Sequence, residues 1–148
     1  GPGLGAGVAL AKRLSGDDNA VCILLSDGEL NEGSVWEAFQ FISKHQLNIS
    51  ILIDNNNQIC EDFLEDVSPK MDFKSIFEGL GYEFCELDGH SLADLQKLKP
   101  WIYERQAPRI CCLKTVKGKG VSFMEGVIKW HHSIPDDAKF NQAMEELK

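Results

Sequence analysis

Long apolar runs are scarce in this sequence. The longest lie at residues 20–25 and 110–113, and neither approaches the roughly 20 apolar residues that a membrane-spanning helix needs. The first residues also lack the basic stretch and the apolar core of a secretory signal peptide. We therefore expect no membrane segment and no signal peptide.

Clusters of basic residues are also lacking. The chain has 15 lysines and arginines against 23 aspartates and glutamates, which gives a formal net charge of −8. Affinity for nucleic acid comes largely from neutralising phosphates, so this balance argues against a nucleic-acid partner. Any phosphate ligand must be neutralised by something other than the bulk charge of the protein.

The spacing CxxC, typical of zinc sites, does not occur among the cysteines. The cysteines are odd in number, and most fall in or beside apolar stretches: Cys22, Cys60, Cys85, Cys111 and Cys112. We interpret them as reduced structural residues, which predicts a cytoplasmic protein without a zinc site.

The order of apolar and amphipathic segments predicts one α/β domain over residues 1–148. Expected strands cover residues 20–25, 49–53, 82–87 and 109–115, and expected helices cover 7–14, 33–45, 73–79, 91–104 and 136–147. The apolar run at 20–25 suggests a strand buried on both faces. Strands alternating with helices indicate a three-layer α/β/α fold with a mainly parallel sheet.

In such a sheet, ligands bind beyond the carboxyl ends of the strands. Asp27 and Gly28 follow the first predicted strand, and a glycine allows the backbone to approach a phosphate closely. Asp27, Glu29 and Glu32 nevertheless place three carboxylates within six residues. Two unit charges 4 Å apart interact with about 4 kcal/mol at an effective dielectric of about 20, so a bound phosphate requires a divalent cation here.

The second predicted strand ends in polar residues that complement this carboxylate. Asp54 is followed by Asn55, Asn56, Asn57 and Gln58. Carboxylate, amide and backbone oxygens are the ligands that Mg²⁺ prefers. The pattern therefore predicts a cation between two adjacent strand ends with a diphosphate on its open side, whereas the plainer interpretation is a pair of solvated polar turns.

At this point the sequence resembles the transketolase family of thiamine diphosphate enzymes. A Gly-Asp-Gly-type turn followed after 25 to 30 residues by Asn is the family fingerprint, with Ser26 here in place of the first glycine. The resemblance extends over four segments: residues 26–33 (SDGELNEG) with 36–38 (WEA), 87–90 (LDGH), 115–125 (TVKGKGVSFME), and Trp130-His131 with Pro135.

The resemblance implies a role for particular residues. Asp27 and Asn56 would bind Mg²⁺ through their side chains and Gln58 through its backbone carbonyl, although Asn55 or Asn57 could take the place of Asn56. Gly28 and Glu29 would donate backbone N–H groups to the diphosphate, and His131 would lie near the cofactor and the substrate. His132 has no clear family counterpart, and we interpret His90 as structural.

Glu32 matches a family glutamate at the subunit interface, where it contacts the partner's glutamate that activates the cofactor. From the sequence alone it would be an ordinary first-turn glutamate favoured by the helix dipole. The helix at 33–45 is apolar over more than one packing face. It therefore suits either the domain core or a subunit interface, and the resemblance favours the interface.

The sequence contains nothing that resembles the family's pyrimidine-binding domain. We therefore expect the diphosphate- and Mg²⁺-binding subunit of a transketolase-like enzyme, which transfers a two-carbon ketol unit between sugars. It would need a pyrimidine-binding partner chain, in a homo-oligomer or a heterotetramer, and would be inactive alone.

Two other functions are compatible with parts of the sequence. One is a non-catalytic transketolase-like module with an interaction or regulatory role. The other is a nucleotide-binding Rossmann domain, because Gly1, Gly3 and Ala6 formally fit its fingerprint. No strand precedes that motif, which makes it a weak signal.

Overall fold

The computed structural model describes residues 1–103 and 107–148. Among these residues, a sheet of four strands has the order β1-β2-β4-β3, and every adjacent pair is parallel. The strands are β1 Val21–Ser26, β2 Ile49–Asn55, β3 Glu83–Asp88 and β4 Arg109–Lys114. The α/β class and the parallel sheet are confirmed, and each strand lies within two residues of its predicted bounds.

Helices connect the strands in the expected order. The described helices are α1 Pro2–Leu14, α2 Gly33–Lys44, α3 Leu64–Val67, α4 Phe73–Gly79, α5 Leu92–Tyr103 and α6 Asp137–Glu146. Helix α1 begins five residues before its predicted start, with Pro2 in the first turn, where proline is well tolerated. Helix α3 has no counterpart among the predicted helices, and Glu104, the predicted last residue of α5, lies outside the described residues.

The main core lies between one face of the sheet and helices α1, α2 and α4. Phe39 and Phe77 are fully buried there, with ring centroids 5.4 Å apart in an edge-to-face contact, a geometry that aromatic pairs favour. The Tyr82 hydroxyl donates a hydrogen bond of 2.7 Å to the Phe39 carbonyl. This hydrogen bond joins the residue just before β3 to helix α2.

Helix α2 uses most of its apolar residues inside its own domain. Val35, Ala38, Phe39 and Ile42 are buried, whereas Phe41 remains 39% exposed. The core therefore accounts for most of this apolar face, and a subunit interface at α2 stays a prediction. Phe41 alone contributes a large exposed apolar side chain from this helix.

The opposite face of the sheet is only partly covered. Helix α5 places Leu98 and Ile102 against Cys111 and Leu113 of β4. Strand β1 lies at the edge of the described sheet, and its Leu24 is 67% exposed. The prediction that the apolar run at 20–25 is buried on both faces is therefore wrong for the described residues.

All five cysteines are free thiols. Cys111 and Cys112 are buried on opposite faces of β4, and Cys22 and Cys60 are exposed. Among the described residues, no helix combines the length and apolarity needed to cross a membrane.

Candidate cofactor and metal site

The turn after β1 is fixed by a reciprocal pair of hydrogen bonds. The Ser26 hydroxyl accepts from the Glu29 N–H at 3.3 Å, and the Glu29 carboxylate accepts from the Ser26 N–H at 2.9 Å. This capping box begins a short 3₁₀ helix at Asp27. Ser26 has φ −91°, so serine replaces the family glycine here without backbone strain.

Asp27 is completely buried at the start of this turn. Its Oδ1 accepts from the Gly28 N–H at 2.9 Å, and its Oδ2 accepts from the Asn57 N–H at 2.6 Å. Burial raises the pKa of Asp27, and repulsion from Asp54 acts in the same direction, whereas the N–H donors of Asn57 and Gly28 oppose the rise. The site therefore holds a buried carboxylate that a cation would stabilise.

The polar run after β2 folds directly against Asp27. The Asn56 side-chain oxygen accepts from the Gln58 N–H at 3.0 Å, and Asn57 has a left-handed φ of 59°. Gln58 is 4% exposed, and its side-chain Oε1 has no hydrogen-bond partner among the described residues. The structure thus brings Asp27 together with the segment that carries Asn56 and Gln58.

The three asparagines occupy different environments. The Asn55 carbonyl accepts from the Thr115 N–H at 3.1 Å, within the β2–β4 ladder. Asn57 supplies its N–H to Asp27 and its carbonyl to the Leu64 N–H. Asn56 uses its side-chain oxygen in a local contact of the same loop.

Ile59 is a neighbour of this site that the sequence reasoning missed. A Cβ atom on Gly28 would lie 3.1 Å from Ile59 Cγ2, so the isoleucine side chain packs directly over the glycine. Ile59 lies in an irregular loop, where the sequence has no hydrophobic periodicity. Its contact with Gly28 arises only from the tertiary fold. The close approach explains why residue 28 has no side chain.

Glu32 ends the 3₁₀ turn and is exposed. It is the N-cap residue of α2, but its side chain makes no capping hydrogen bond. Glu32 therefore directly precedes the first turn of α2, which begins at Gly33 as predicted.

His131 lies at the end of a 3₁₀ turn, Ile128–His131, in the long segment before α6. Its Nδ1 is buried and has no hydrogen-bond partner among the described residues. Loss of hydration lowers the pKa of His131, and electrostatic interactions with Lys117 and His132 lower it further. The imidazole is therefore neutral at pH 7.

The other two histidines of this region differ from His131. His90 Nε2 accepts a 2.7 Å hydrogen bond from the Val116 N–H, which supports our structural interpretation of His90. His132 is exposed, with its ring centroid 6.3 Å from that of His131. In the described ranges 1–103 and 107–148, no hydrogen bond joins Glu32 or His131 to Asp27.

The described residues do not form a metal site of the kind that has several acidic or sulfur ligands. Among the described residues, no group of three or more His, Cys, Asp or Glu side chains could hold a metal ion. The oxygen donors that the resemblance assigns are instead the Asp27 carboxylate, the Asn56 side-chain amide and the Gln58 backbone carbonyl. Such a set leaves several positions of an octahedral Mg²⁺ ion for ligand oxygens and water.

The sheet order and the polar strand ends place the chain among α/β proteins that bind a ligand at the carboxyl edge of a parallel sheet. Residues 12–147 match the family model for the thiamine diphosphate binding domain of transketolase. The chain therefore belongs to the transketolase thiamine diphosphate binding domain family. Its relatives are transketolases, which are transferases. The family match argues against the Rossmann hypothesis, whose Gly3 and Ala6 lie within α1.

Individual relatives agree with this family. The chain is 30% identical over 149 residues to one component of the apulose-4-phosphate transketolase of Phocaeicola vulgatus, covering 99% of this chain and 53% of that protein. It is 34% identical over 135 residues to Homo sapiens transketolase, covering 88% of this chain and 21% of that protein. The chain thus spans about half the length of the bacterial relative.

Solved structures show the same fold. The crystal structure of transketolase from Campylobacter jejuni superposes with a TM-score of 0.87 at 25% identity, over 99% of this chain and 24% of that chain. The Leishmania mexicana transketolase superposes with a TM-score of 0.80 at 17% identity, over 99% of this chain and 27% of that chain. The second likeness concerns the fold alone.

Proposed function

We propose that this chain forms the diphosphate- and Mg²⁺-binding part of a transketolase-like transferase that works with a pyrimidine-binding partner chain. The contact that carries this proposal is the hydrogen bond from the Asn57 N–H to Asp27 Oδ2, at 2.6 Å. It joins the buried carboxylate after β1 to the loop that carries Asn56 and Gln58. This contact supports the proposal that oxygen donors from two neighbouring strand ends share one cation.

The donor set suits Mg²⁺ in number and in kind. Asp27 and Asn56 would bind through side-chain oxygens and Gln58 through its backbone carbonyl, with ligand oxygens and water in the other positions. Asn56 is the best candidate of the three asparagines. Asn55 is held in the β2–β4 ladder, and Asn57 already supports Asp27 through its N–H group.

A diphosphate would depend on this cation for charge. Asp27, Glu29 and Glu32 surround the turn with carboxylates, so an anion alone would be repelled. The Gly28 and Glu29 N–H groups would serve as donors once the cation is bound. At present they donate to Asp27 Oδ1 and to the Ser26 hydroxyl, at 2.9 and 3.3 Å, and the ligand would take over these bonds.

Two further residues complete the proposed machinery. Bound thiamine diphosphate supplies the chemistry that breaks the C2–C3 bond of a ketose and transfers the two-carbon unit. The pKa of His131 lies below its ordinary value, and we propose that its imidazole exchanges a proton with the substrate. Exposed Glu32 is available to a glutamate of the partner chain, as the resemblance implies.

The names of several relatives support a sugar substrate and a partner chain. Two matched proteins are named as single subunits of apulose-4-phosphate transketolases, and a third is the SqwG subunit of a 6-deoxy-6-sulfo-D-fructose transketolase. By analogy we propose a ketose substrate, a hetero-oligomer with a pyrimidine-binding chain, and a cytoplasmic location. Light scattering of the purified complex would establish the stoichiometry.

Calorimetric titration with thiamine diphosphate, with and without Mg²⁺, tests the metal assignment. We expect Asp27→Asn to weaken Mg²⁺-dependent binding at least about 100-fold, or about 2.7 kcal/mol, because it removes the charge and one of the two oxygens that accept from the Gly28 and Asn57 N–H groups. Asp18→Asn is the matched control, since Asp18 is an exposed carboxylate near the amino ends of the strands. Unchanged binding by the Asp27 variant would refute the assignment.

A ketol-transfer assay tests the catalytic part of the proposal. The chain is mixed with a candidate pyrimidine-domain partner and a panel of ketose donors and aldose acceptors. We expect activity that requires both proteins and Mg²⁺. Cofactor binding without transfer by any pairing would favour the non-catalytic module instead.

A further inference from the structure

Helix α6 is attached to the His131-bearing segment by a small number of side-chain contacts. Only Ala143 of α6 is buried, so the helix contributes little to the core. Near its carboxyl end, Glu146 accepts hydrogen bonds from the Ser122 N–H and hydroxyl at 2.5 and 2.8 Å. These contacts hold the first half of the long segment at residues 116–133.

The second half of that segment is attached by Lys139. The Lys139 ammonium lies 4.5 Å from the centroid of the Phe123 ring and 5.5 Å from that of Trp130. The two rings are themselves in edge contact at 5.1 Å. Both distances from the ammonium are within the range of cation–π attraction, so one lysine of α6 is bound by two aromatic side chains of the segment.

A backbone hydrogen bond fixes the position of Lys139 at the start of helix α6. Asp136 caps α6 by accepting from the Lys139 N–H at 2.8 Å, which sets the first helical turn from which the side chain extends. Lys139 is half-buried, so part of its side chain is covered by neighbouring residues.

His131 depends on the turn that these rings stabilise. It follows Trp130 directly in the 3₁₀ turn Ile128–His131. Its Nδ1 has no hydrogen-bond partner among the described residues, so no such bond orients the ring from that side. The position of the imidazole therefore follows from the backbone of the turn and from the packing of Trp130.

We propose that Lys139 is a positioning residue for His131, acting through the ring pair of Phe123 and Trp130. Helix α6 thus serves as a clamp on the segment that carries the histidine. The catalytic consequence rests on the proposed function, whereas the effect on the position of His131 does not. Lys139 itself need not touch the cofactor or the substrate.

A nearby lysine provides the matched control. The Lys129 ammonium lies 5.7 Å from the Trp130 ring centroid, so it also interacts with this ring. Lys129 belongs to the same 3₁₀ turn as Trp130, and within residues 1–103 and 107–148 no hydrogen bond, ion pair or ring contact joins it to α6. Loss of its charge should leave the clamp intact.

The test compares Lys139→Met, Lys139→Arg and Lys129→Met in the whole protein and in its complex with the partner. Methionine keeps much of the apolar stem and removes the charge, while arginine keeps the charge and stacks well on aromatic rings. Circular dichroism checks that each variant is folded. Proton NMR then follows the His131 imidazole signal against pH, and steady-state assays give kcat and KM.

We expect Lys139→Met to raise the His131 pKa toward its ordinary value of 6.5, because a loosened turn hydrates the ring. We expect kcat to fall about 3- to 10-fold with little change in KM, from a loss of the size of one cation–π contact. Lys139→Arg should restore both quantities, and Lys129→Met should leave both unchanged.

An unaltered His131 titration in folded Lys139→Met would overturn the inference, as would equal effects of Lys139→Met and Lys129→Met. If the wild-type complex with the partner chain binds no thiamine diphosphate, the proposed function fails. The NMR titration still decides the positioning role in that case, because it requires no cofactor.

Discussion

Asn57 provides a sharp test of how backbone geometry supports the candidate metal site. Its φ of 59° lies in the left-handed region, and its N–H donates to Asp27 Oδ2 at 2.6 Å. Asparagine tolerates this conformation, glycine adopts it freely, and a β-branched residue resists it. We therefore compare Asn57→Val with Asn57→Gly.

The expected magnitudes follow from this conformation. Left-handed backbone costs an ordinary L-residue about 1–2 kcal/mol, so Asn57→Val should lower the melting temperature by about 2–8 °C in a domain of this size. Asn57→Gly should cost less than about 1 kcal/mol, mainly through the flexibility of the unfolded chain. If valine shifts the loop, Asp27 loses a donor and the site loses its alignment. Mg²⁺-dependent cofactor affinity should then fall about 10-fold, equivalent to about 1.4 kcal/mol.

Gln46 supplies the control, because it is the other non-glycine residue with positive φ among those described, at 46°. It lies between α2 and β2, near the amino ends of the strands. Gln46→Val should therefore destabilise the fold without weakening cofactor binding. Thermal unfolding and calorimetry measure both effects. Full cofactor affinity in Asn57→Val, or an equal loss in Gln46→Val, would refute the reasoning.

Three further predictions concern the stability of the fold. Tyr82→Phe removes the buried hydrogen bond to the Phe39 carbonyl and should lower the free energy of unfolding by about 0.5–1.5 kcal/mol in urea titrations. Gly5→Ala would place a Cβ 2.4 Å from Ile23 Cδ1, so it should cost about 1–3 kcal/mol, with partial recovery in a double mutant that also carries Ile23→Val. Lys12 foremost, with help from hydrogen bonds to Asn19, lowers the pKa of Asp17 from 3.8 to about 2. As the pH falls, Asp17 takes up its proton in the unfolded chain before it does so in the folded chain. The contribution of ionised Asp17 to folding stability is therefore fully present above about pH 4 and is lost as the pH falls toward 2. Asp17→Asn should flatten the acid-unfolding curve in that window.

The class of fold and the place of the candidate site were predictable from the sequence. Apolar strands alternating with amphipathic helices determine a parallel sheet, and its carboxyl edge collects the polar strand ends. Asp27 and Asn56 could therefore be assigned to one edge before the structure was known. The prediction depended on a rule of topology and not on the detail of either loop.

The contacts within the site could not be predicted in the same way. The Asn57 N–H reaches Asp27 because residue 57 adopts positive φ, and Ile59 covers Gly28 because the loop folds back. Both depend on tertiary geometry within an irregular segment. Neither leaves a periodic pattern in the sequence.

Two predictions about the fold were wrong because both relied on local sequence patterns. The run at 20–25 reads as a buried strand, but periodicity does not distinguish an edge strand from an inner one. The first turn of α1 was missed because glycines lower helix propensity. There, the packing of Gly5 against Ile23 outweighs that propensity.

A crystal structure of the protein with thiamine diphosphate and Mn²⁺ in place of Mg²⁺ tests the central claim most directly, since anomalous scattering locates the ion. We predict one ion about 2.1–2.2 Å from oxygens of Asp27 and Asn56 and from the Gln58 carbonyl, in contact with the diphosphate. A bound diphosphate whose ion touches neither Asp27 nor Asn56 would contradict the account.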